Sequence, residues 1–275
     1  MTLAINAVLP DVQHESDHRQ IPIDNVGIRD FHYPILVLDQ SQEKQHVAAS
    51  FTMSVNLPHH FKGTHMSRFV EALAAHSEEI TLRTMPALLR ELRRRLSAES
   101  ATIEVSFRYF LRRVAPVTKS EAWMDYQCRF IGESSDTGDA FALRVDVPVT
   151  SLCPCSKAIS DYGAHNQRGS VEMEVRSLQD KNGEASLIWI EELVDLAERS
   201  ASSPVYPLLK RPDERYVTMQ AYDNPVFVED LARNVAAGLK ADERVGSFKV
   251  TVINQESIHN HNAFAKIAWV RPPTE

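Results

Sequence analysis

The chain has 275 residues, 43% of them apolar and 24% charged, with a net charge of −7. That length accommodates one large domain or two smaller units sharing a core. The acidic excess argues against a general nucleic-acid binder, which carries a basic face, and no apolar run is long enough to cross a bilayer.

Residues 1–20 are polar and aperiodic and lack a basic start followed by an apolar block. They read as a mobile tail with no signal peptide, so the expected compartment is the cytoplasm. The three cysteines, Cys128, Cys153 and Cys155, are too few and too odd in number for a disulfide framework of the secreted kind.

Order is expected to begin near Ile21. Tyr33, Ile35 and Val37 alternate as a first strand, and Val47 to Leu57 alternate over a longer second one. Met66, Phe69, Val70, Leu73 and Ala74 line one face of a helix, with Thr64 or Ser67 placed to cap it. A second helix has Pro86 in its first turn and Met85, Leu88, Leu89, Leu92 and Leu96 on one face. Its other face carries Arg90, Arg93, Arg94 and Arg95, which reads as solvated surface. Ile103–Tyr109 and Met124–Phe130 then alternate, placing Cys128 in a core position.

After the polar stretch 132–138 the order repeats. Strands are expected around Phe141–Val149 and Val171–Val175, helices around Ile190–Ala197 and Phe227–Leu239, and closing strands around Phe248–Val252 and Ala265–Trp269. Lys210, Arg211 and Arg215, around Pro212-Asp213-Glu214, read as a mixed-charge loop. Each half thus runs strand, strand, helix, helix, strand, strand. The pattern predicts an α+β fold with antiparallel sheet and helices on one face. No residue-level repeat accompanies it.

Three segments carry chemistry. In Ser151-Leu152-Cys153-Pro154-Cys155-Ser156-Lys157, just past a strand, Pro154 fixes the backbone between two thiols, and His165 follows ten residues after Cys155. A thiolate and an imidazole suit Zn²⁺ and similar ions, although a third ligand must come from elsewhere. A redox-active or merely buried cysteine pair with an unrelated surface histidine fits the same spacing. In Glu256-Ser257-Ile258-His259-Asn260-His261, an extended backbone puts both rings on one side, where they serve proton transfer or simply decorate a polar turn. His59 to Arg68 enters the first helix with Lys62, His65, Ser67 and Arg68, an anion site or an ordinary capped helix.

Taken together, Leu152-Cys153-Pro154-Cys155-Ser156-Lys157, Asn166-Gln167-Arg168-Gly169, Lys62-Gly63-Thr64-His65-Met66-Ser67-Arg68-Phe69 and Glu256 to His261 resemble the GTP cyclohydrolase type IB family, of the tunnelling-fold superfamily. Asp11-Val12-Gln13 and Val26-Gly27-Ile28 fit it too, and the likeness runs over nearly the whole chain. The residues before Asp11 and the turn from Ser177 to Ala185 look like variable segments.

The resemblance implies two tandem ββααββ units after the tail 1–20, at 21–135 and 136–275, the second carrying most of a metal site. It implies homotetramers with active sites where subunits meet. It also implies a hydrolase that converts GTP and water to 7,8-dihydroneopterin triphosphate and formate, the entry to pterins and tetrahydrofolate. A divalent ion (Zn²⁺, Mn²⁺ or Fe²⁺) would be bound by Cys153, His165 and Glu214. Glu256 would hold the guanine edge, and His259 and His261 would sit beside the reacting ring. Lys62, Arg68 and Lys157 are the candidate cations for the triphosphate. Two other readings stand beside this one. A nitrile reductase of the same fold would use a cysteine nucleophile and nicotinamide, and a non-catalytic ring would only bind purines.

Overall fold

The computed structural model describes residues 11–40, 44–76, 80–81, 83–178 and 186–273. Residues 1–10 of the expected tail and 179–185 of the expected variable turn lie outside this set. The first half contains β1 (Ile23–Leu38), β2 (Lys44–Leu57), α1 (Ser67–His76), α2 (Met85–Leu96), β3 (Ala101–Val114) and β4 (Glu121–Ser135). The second contains β5 (Gly138–Leu152), α3 (Pro154–Ile159), β6 (Asn166–Ser177), α4 (Ile190–Ser200), β7 (Ser203–Pro204), α5 (Arg211–Asp223), α6 (Val228–Ala241), β8 (Val245–Asn254) and β9 (Ala263–Val270).

The described strands form one antiparallel sheet in the order β1-β2-β3-β4-β5-β6-β8-β9, with β7 beside β5. Pairing of β4 with β5 runs unbroken to Ser135 opposite Gly138, so the sheet is continuous through the point where the halves meet. One face is apolar by simple alternation: Phe51, Met53 and Val55, Ile103, Val105 and Phe107, and Val145, Val147 and Val149 are buried beneath the helices. The helices pack on that face, α2 against β2 to β4, α4 against β5, and α6 against β8 and β9. Among the described residues, no helix is long and apolar enough to cross a membrane.

Helix α2 illustrates how the sequence achieves this. Pro86 starts it, and Met85, Leu88, Leu89, Leu92 and Leu96 are all buried, each contributing about 1.5–3 kcal/mol on burial. The arginines on its outer side are neutralised locally. Arg90 pairs with Asp139, Arg93 with Asp136, and Arg94 and Arg95 with Glu91. Cys128 lies in the core, and burial pushes its thiol far above the ordinary range.

One local expectation is corrected. The segment from Lys210 to Arg215 is not a loop, because Lys210 caps α5 and Arg211 begins it. In addition, residues 11–17 lie along the loop before α1. Ser16 bridges Phe61, Lys62 N donates to Glu15 O and Gly63 N donates to Gln13 O.

Candidate functional site

The site is built where β5, β6 and β8 end side by side. The last residues of β5 pair with the first of β6, Leu152 opposite Asn166 and Ser151 opposite Gln167. Beyond Leu152 the chain turns at once into α3, with Pro154 in its first turn and Cys153 as the capping residue. The Cys153 sulfur accepts from Ser156 N (3.4 Å), and Cys153 N donates to His165 O (3.1 Å). The Ser156 hydroxyl donates to Cys153 O (3.2 Å) and accepts from His165 N (3.1 Å). Ser156 therefore lashes the cysteine turn to the histidine that precedes β6. Cys155 sits on α3 and is exposed.

A second set of contacts joins this turn to the β8–β9 loop. His165 Nδ1 lies 2.8 Å from Gln167 Oε1, and Gln167 Nε2 donates to Glu256 Oε1 (3.3 Å). Glu256 Oε2 lies 3.9 Å from His165 Nδ1, beyond hydrogen-bond range. Beneath them, buried Asn254 donates to Ser151 Oγ (3.0 Å), whose hydroxyl donates to Val226 O (2.8 Å). Gly169, opposite Asn254 on β6, leaves room for this amide, since a Cβ there would stand 2.7 Å from Asn254 Oδ1. The roots of the Cys153 turn and of the Glu256 loop are thus tied through one polar cluster.

His259 and His261 lie farther along the same loop, exposed, with ring centroids 5.1 Å apart and planes inclined by 20°. The three candidate triphosphate cations are each engaged separately. Lys62 pairs with Glu15, Arg68 donates to Arg95 O at the end of α2, and Lys157 lies 4.3 Å over the Tyr222 ring.

Glu214 is exposed on the first turn of α5. Among the described residues, no three histidine, cysteine, aspartate or glutamate side chains gather closely enough to hold a metal ion. The backbones of Cys153 and His165 are hydrogen-bonded to each other, and a thiolate and an imidazole are donors that suit a borderline ion. Glu214 is not brought to them within one chain.

What fixes α5 is the neighbouring Asp213. It has no exposed surface and accepts from Val117 N (2.9 Å), Thr118 N (2.8 Å), Thr118 Oγ1 (2.6 Å) and Lys210 N (3.0 Å). Burial alone would raise its pKa. The four donors, Thr118 foremost, outweigh burial and hold the carboxyl well below the usual carboxylate range. A depressed native pKa adds stability that is complete above the unfolded value, about 3.9, and fades as pH falls through the native one. Asp213→Asn, which cannot accept all four donors, is expected to lower Tm at neutral pH. The gap to wild type should narrow in acid below about pH 4, where wild type loses this contribution. Thermal scans across pH check this, and a gap that is constant with pH contradicts it.

Ser156, Gln167, Asn254 and Asp213 were not singled out from sequence as site residues. The available signal was a polar residue at an inward position of an otherwise apolar alternation, as at Ser151 and Gln167.

The family described as type I GTP cyclohydrolase folE2 matches residues 9–265. The GTP cyclohydrolase FolE2 of Nitrosococcus oceani is 53% identical over 264 residues, covering 96% of both chains. That of Methylococcus capsulatus is 53% identical over 259 residues, covering 94% of both, and that of Geobacter sulfurreducens is 49% identical, covering 94% of this chain and 97% of its own. Among solved structures, the uricase from Arthrobacter globiformis superposes with a TM-score of 0.55 at 8% identity, over 92% of this chain and 95% of that one. The urate oxidase from Bacillus subtilis does so with a TM-score of 0.51 at 10% identity, over 90% and 98%. At such identity these two speak for the fold alone. With the family pattern running from residue 9 to 265 and about half of all positions shared with these relatives, the chain belongs to the type I GTP cyclohydrolase family of the FolE2 kind.

Proposed function

We propose that this chain hydrolyses GTP to 7,8-dihydroneopterin triphosphate and formate, opening the route to pterins and tetrahydrofolate. The observation that carries the reading is the Gln167 amide that bridges the Glu256 carboxylate and His165, whose backbone is in turn bonded to Cys153, in a chain 53% identical to a protein named GTP cyclohydrolase FolE2.

The residues divide the work by their chemistry. Glu256 accepts from guanine N1–H and N2–H₂. Adenine would turn a ring-nitrogen lone pair toward the same carboxylate, so the pairing selects guanine. His259 and His261 deliver protons to the nitrogens that depart from C8 as the imidazole ring opens. They lie three and five residues beyond Glu256, so the loop that grips the pyrimidine edge also presents the acids. A divalent ion held by Cys153, His165 and Glu214 would supply acidity to the attacking water. Zn²⁺, Mn²⁺ and Fe²⁺ all suit a mixed sulfur, nitrogen and oxygen set. Lys62, Arg68 and Lys157 remain the triphosphate cations of this reading, each exchanging its present partner for phosphate oxygens.

We read the chain as a tail, 1–20, and two tandem tunnelling-fold units, 21–135 and 136–275, assembled as a cytoplasmic homotetramer with sites between subunits. The β4–β5 hairpin at the unit boundary and the open edges of β1 and β9 support that reading. So does Glu214, whose exposed position suits completion of a site at a subunit interface.

The test is GTP turnover by metal-stripped and reconstituted protein, read as pterin fluorescence after oxidation. Stripping is expected to abolish turnover and leave the far-UV circular dichroism unchanged, because the sheet and its helices are packed independently of Cys153 and His165. Collapse of the dichroism would make the ion structural. Failure of all three ions to restore turnover would sink the assignment.

A further inference from the structure

We propose that Gln167 is a positioning residue that locks His165 in its Nδ1–H tautomer and holds Glu256 with the same amide, coupling the metal-binding and guanine-binding halves of the site. This rests on reading His165 as a ligand and Glu256 as the guanine acceptor, and it adds a residue to which neither role belongs.

Gln167 is the second residue of β6, opposite Ser151 of β5, and is only 7% exposed. Its neighbour Arg168 accepts from Gln255 N through its carbonyl (2.9 Å), which sets Glu256 abreast of the Gln167 side chain. His165 and Glu256 approach from either side, with side chains 13% and 11% exposed. The amide is therefore boxed in, with His165 Nδ1 2.8 Å from its oxygen and the Glu256 carboxylate 3.3 Å from its nitrogen.

Chemistry then leaves one arrangement. An amide oxygen only accepts, an amide nitrogen only donates, and an ionised carboxylate only accepts. Exchanging the two amide atoms would set oxygen against carboxylate oxygen, two acceptors with no proton between them. With nitrogen toward Glu256, the oxygen faces His165, so Nδ1 must carry the proton. The neutral ring then keeps its lone pair on Nε2, which makes no hydrogen bond among the described residues. A ligating histidine has its tautomer and orientation set in this way by the partner of its other nitrogen. Here that partner is an amide whose far end is a second functional group.

The consequence is linkage. An ion held by His165 would make its Nδ1–H a stronger donor. That polarises the Gln167 amide, strengthening its bond to Glu256, since hydrogen bonds in a chain reinforce one another. The carboxylate that meets guanine is thus steadied when the ion is present, and the coupling must act in both directions.

The experiment uses the full chain, metal-free, with nitrogen-15 in its histidine rings, in mildly alkaline buffer. His165→Gln identifies the His165 signals. Wild type is expected to show His165 as the Nδ1–H tautomer alone, and Gln167→Leu, which keeps bulk and removes both hydrogen bonds, a mixture. Zinc affinity, measured against a competing chelator, should fall by about 10–100-fold in Gln167→Leu. With zinc saturating, the KM for GTP should rise by a larger factor than kcat falls. An Nε2–H tautomer in wild type overturns the proposal whether or not the variant folds. A folded Gln167→Leu with unchanged tautomer and unchanged zinc affinity, altered only in Tm, overturns it too. His165→Gln binding zinc as tightly as wild type would instead remove His165 from the ligand set, a separate failure that the wild-type spectrum does not share.

Discussion

Cys153→Ala is expected to lose both bound metal and GTP turnover, whereas Cys155→Ala keeps most of each. The two thiols are one residue apart but differently placed. Cys153 follows the last residue of β5, half-buried, with its sulfur at the first turn of α3 and its backbone bonded to His165. Cys155 has turned onto α3 and faces solvent. Removing an outer partner of a metal ligand costs about 10–100-fold in affinity, and removing the ligand itself should cost more. Turnover of Cys153→Ala is therefore expected at the background of the stripped wild type. Metal content and turnover of both variants decide the matter. Equal loss in both would mean that the pair acts as a unit, as a dithiol ligand or a redox couple. The proteins must be kept reduced, since oxidation of either thiol removes a donor by a different route.

Where burial follows sequence period, the fold was legible. The alternation of Phe51, Met53 and Val55 and the spacing of Met85, Leu88, Leu89, Leu92 and Leu96 each mark a face that is buried in the structure. Helix α5 escaped because its apolar side chains do not face the core. Tyr216, Met219 and Tyr222 are exposed, and the helix buries only Asp213 and Ala221. Its anchor is a carboxylate gripping the β3–β4 turn, a contact between residues about a hundred positions apart that no local pattern announces. Helix α3 escaped because six residues are too few to show a period.

At the site, the motif blocks around Cys153, His165 and Glu256 could be read in the sequence, but their connection could not. It depends on the register that sets Ser151 opposite Gln167 and Gly169 opposite Asn254, which only the paired strands define. That Cys153, His165 and Glu214 form no three-ligand group among the described residues is likewise something that only the packing of the elements shows.

The largest kinetic effect without loss of metal is expected at the histidine pair. His259 and His261 share one loop, lie with rings 5.1 Å apart, and make no hydrogen bond or ion pair with Cys153 or His165 among the described residues. If they move protons in ring opening, His259→Ala and His261→Ala should each retain metal near wild-type stoichiometry and lose about 10²–10⁴-fold in kcat, the usual cost of removing a general acid. Loss of a ligand empties the site instead, so metal content and kcat on the same variants separate the two roles. The competing account is that one ring braces the other. The near-parallel stack, inclined by 20°, gives it substance, and it predicts a lower Tm with a small kinetic change. Both rings are solvent-exposed, and the loop carries little of the core, so a large stability loss is not expected from either substitution. Of the two, His259 is nearer in sequence to the carboxylate that would hold guanine, and the greater loss is expected there. A His259→Ala protein that binds metal and GTP yet turns over at the wild-type rate would remove this histidine from proton transfer. The acid would then have to be sought elsewhere, beginning with His261.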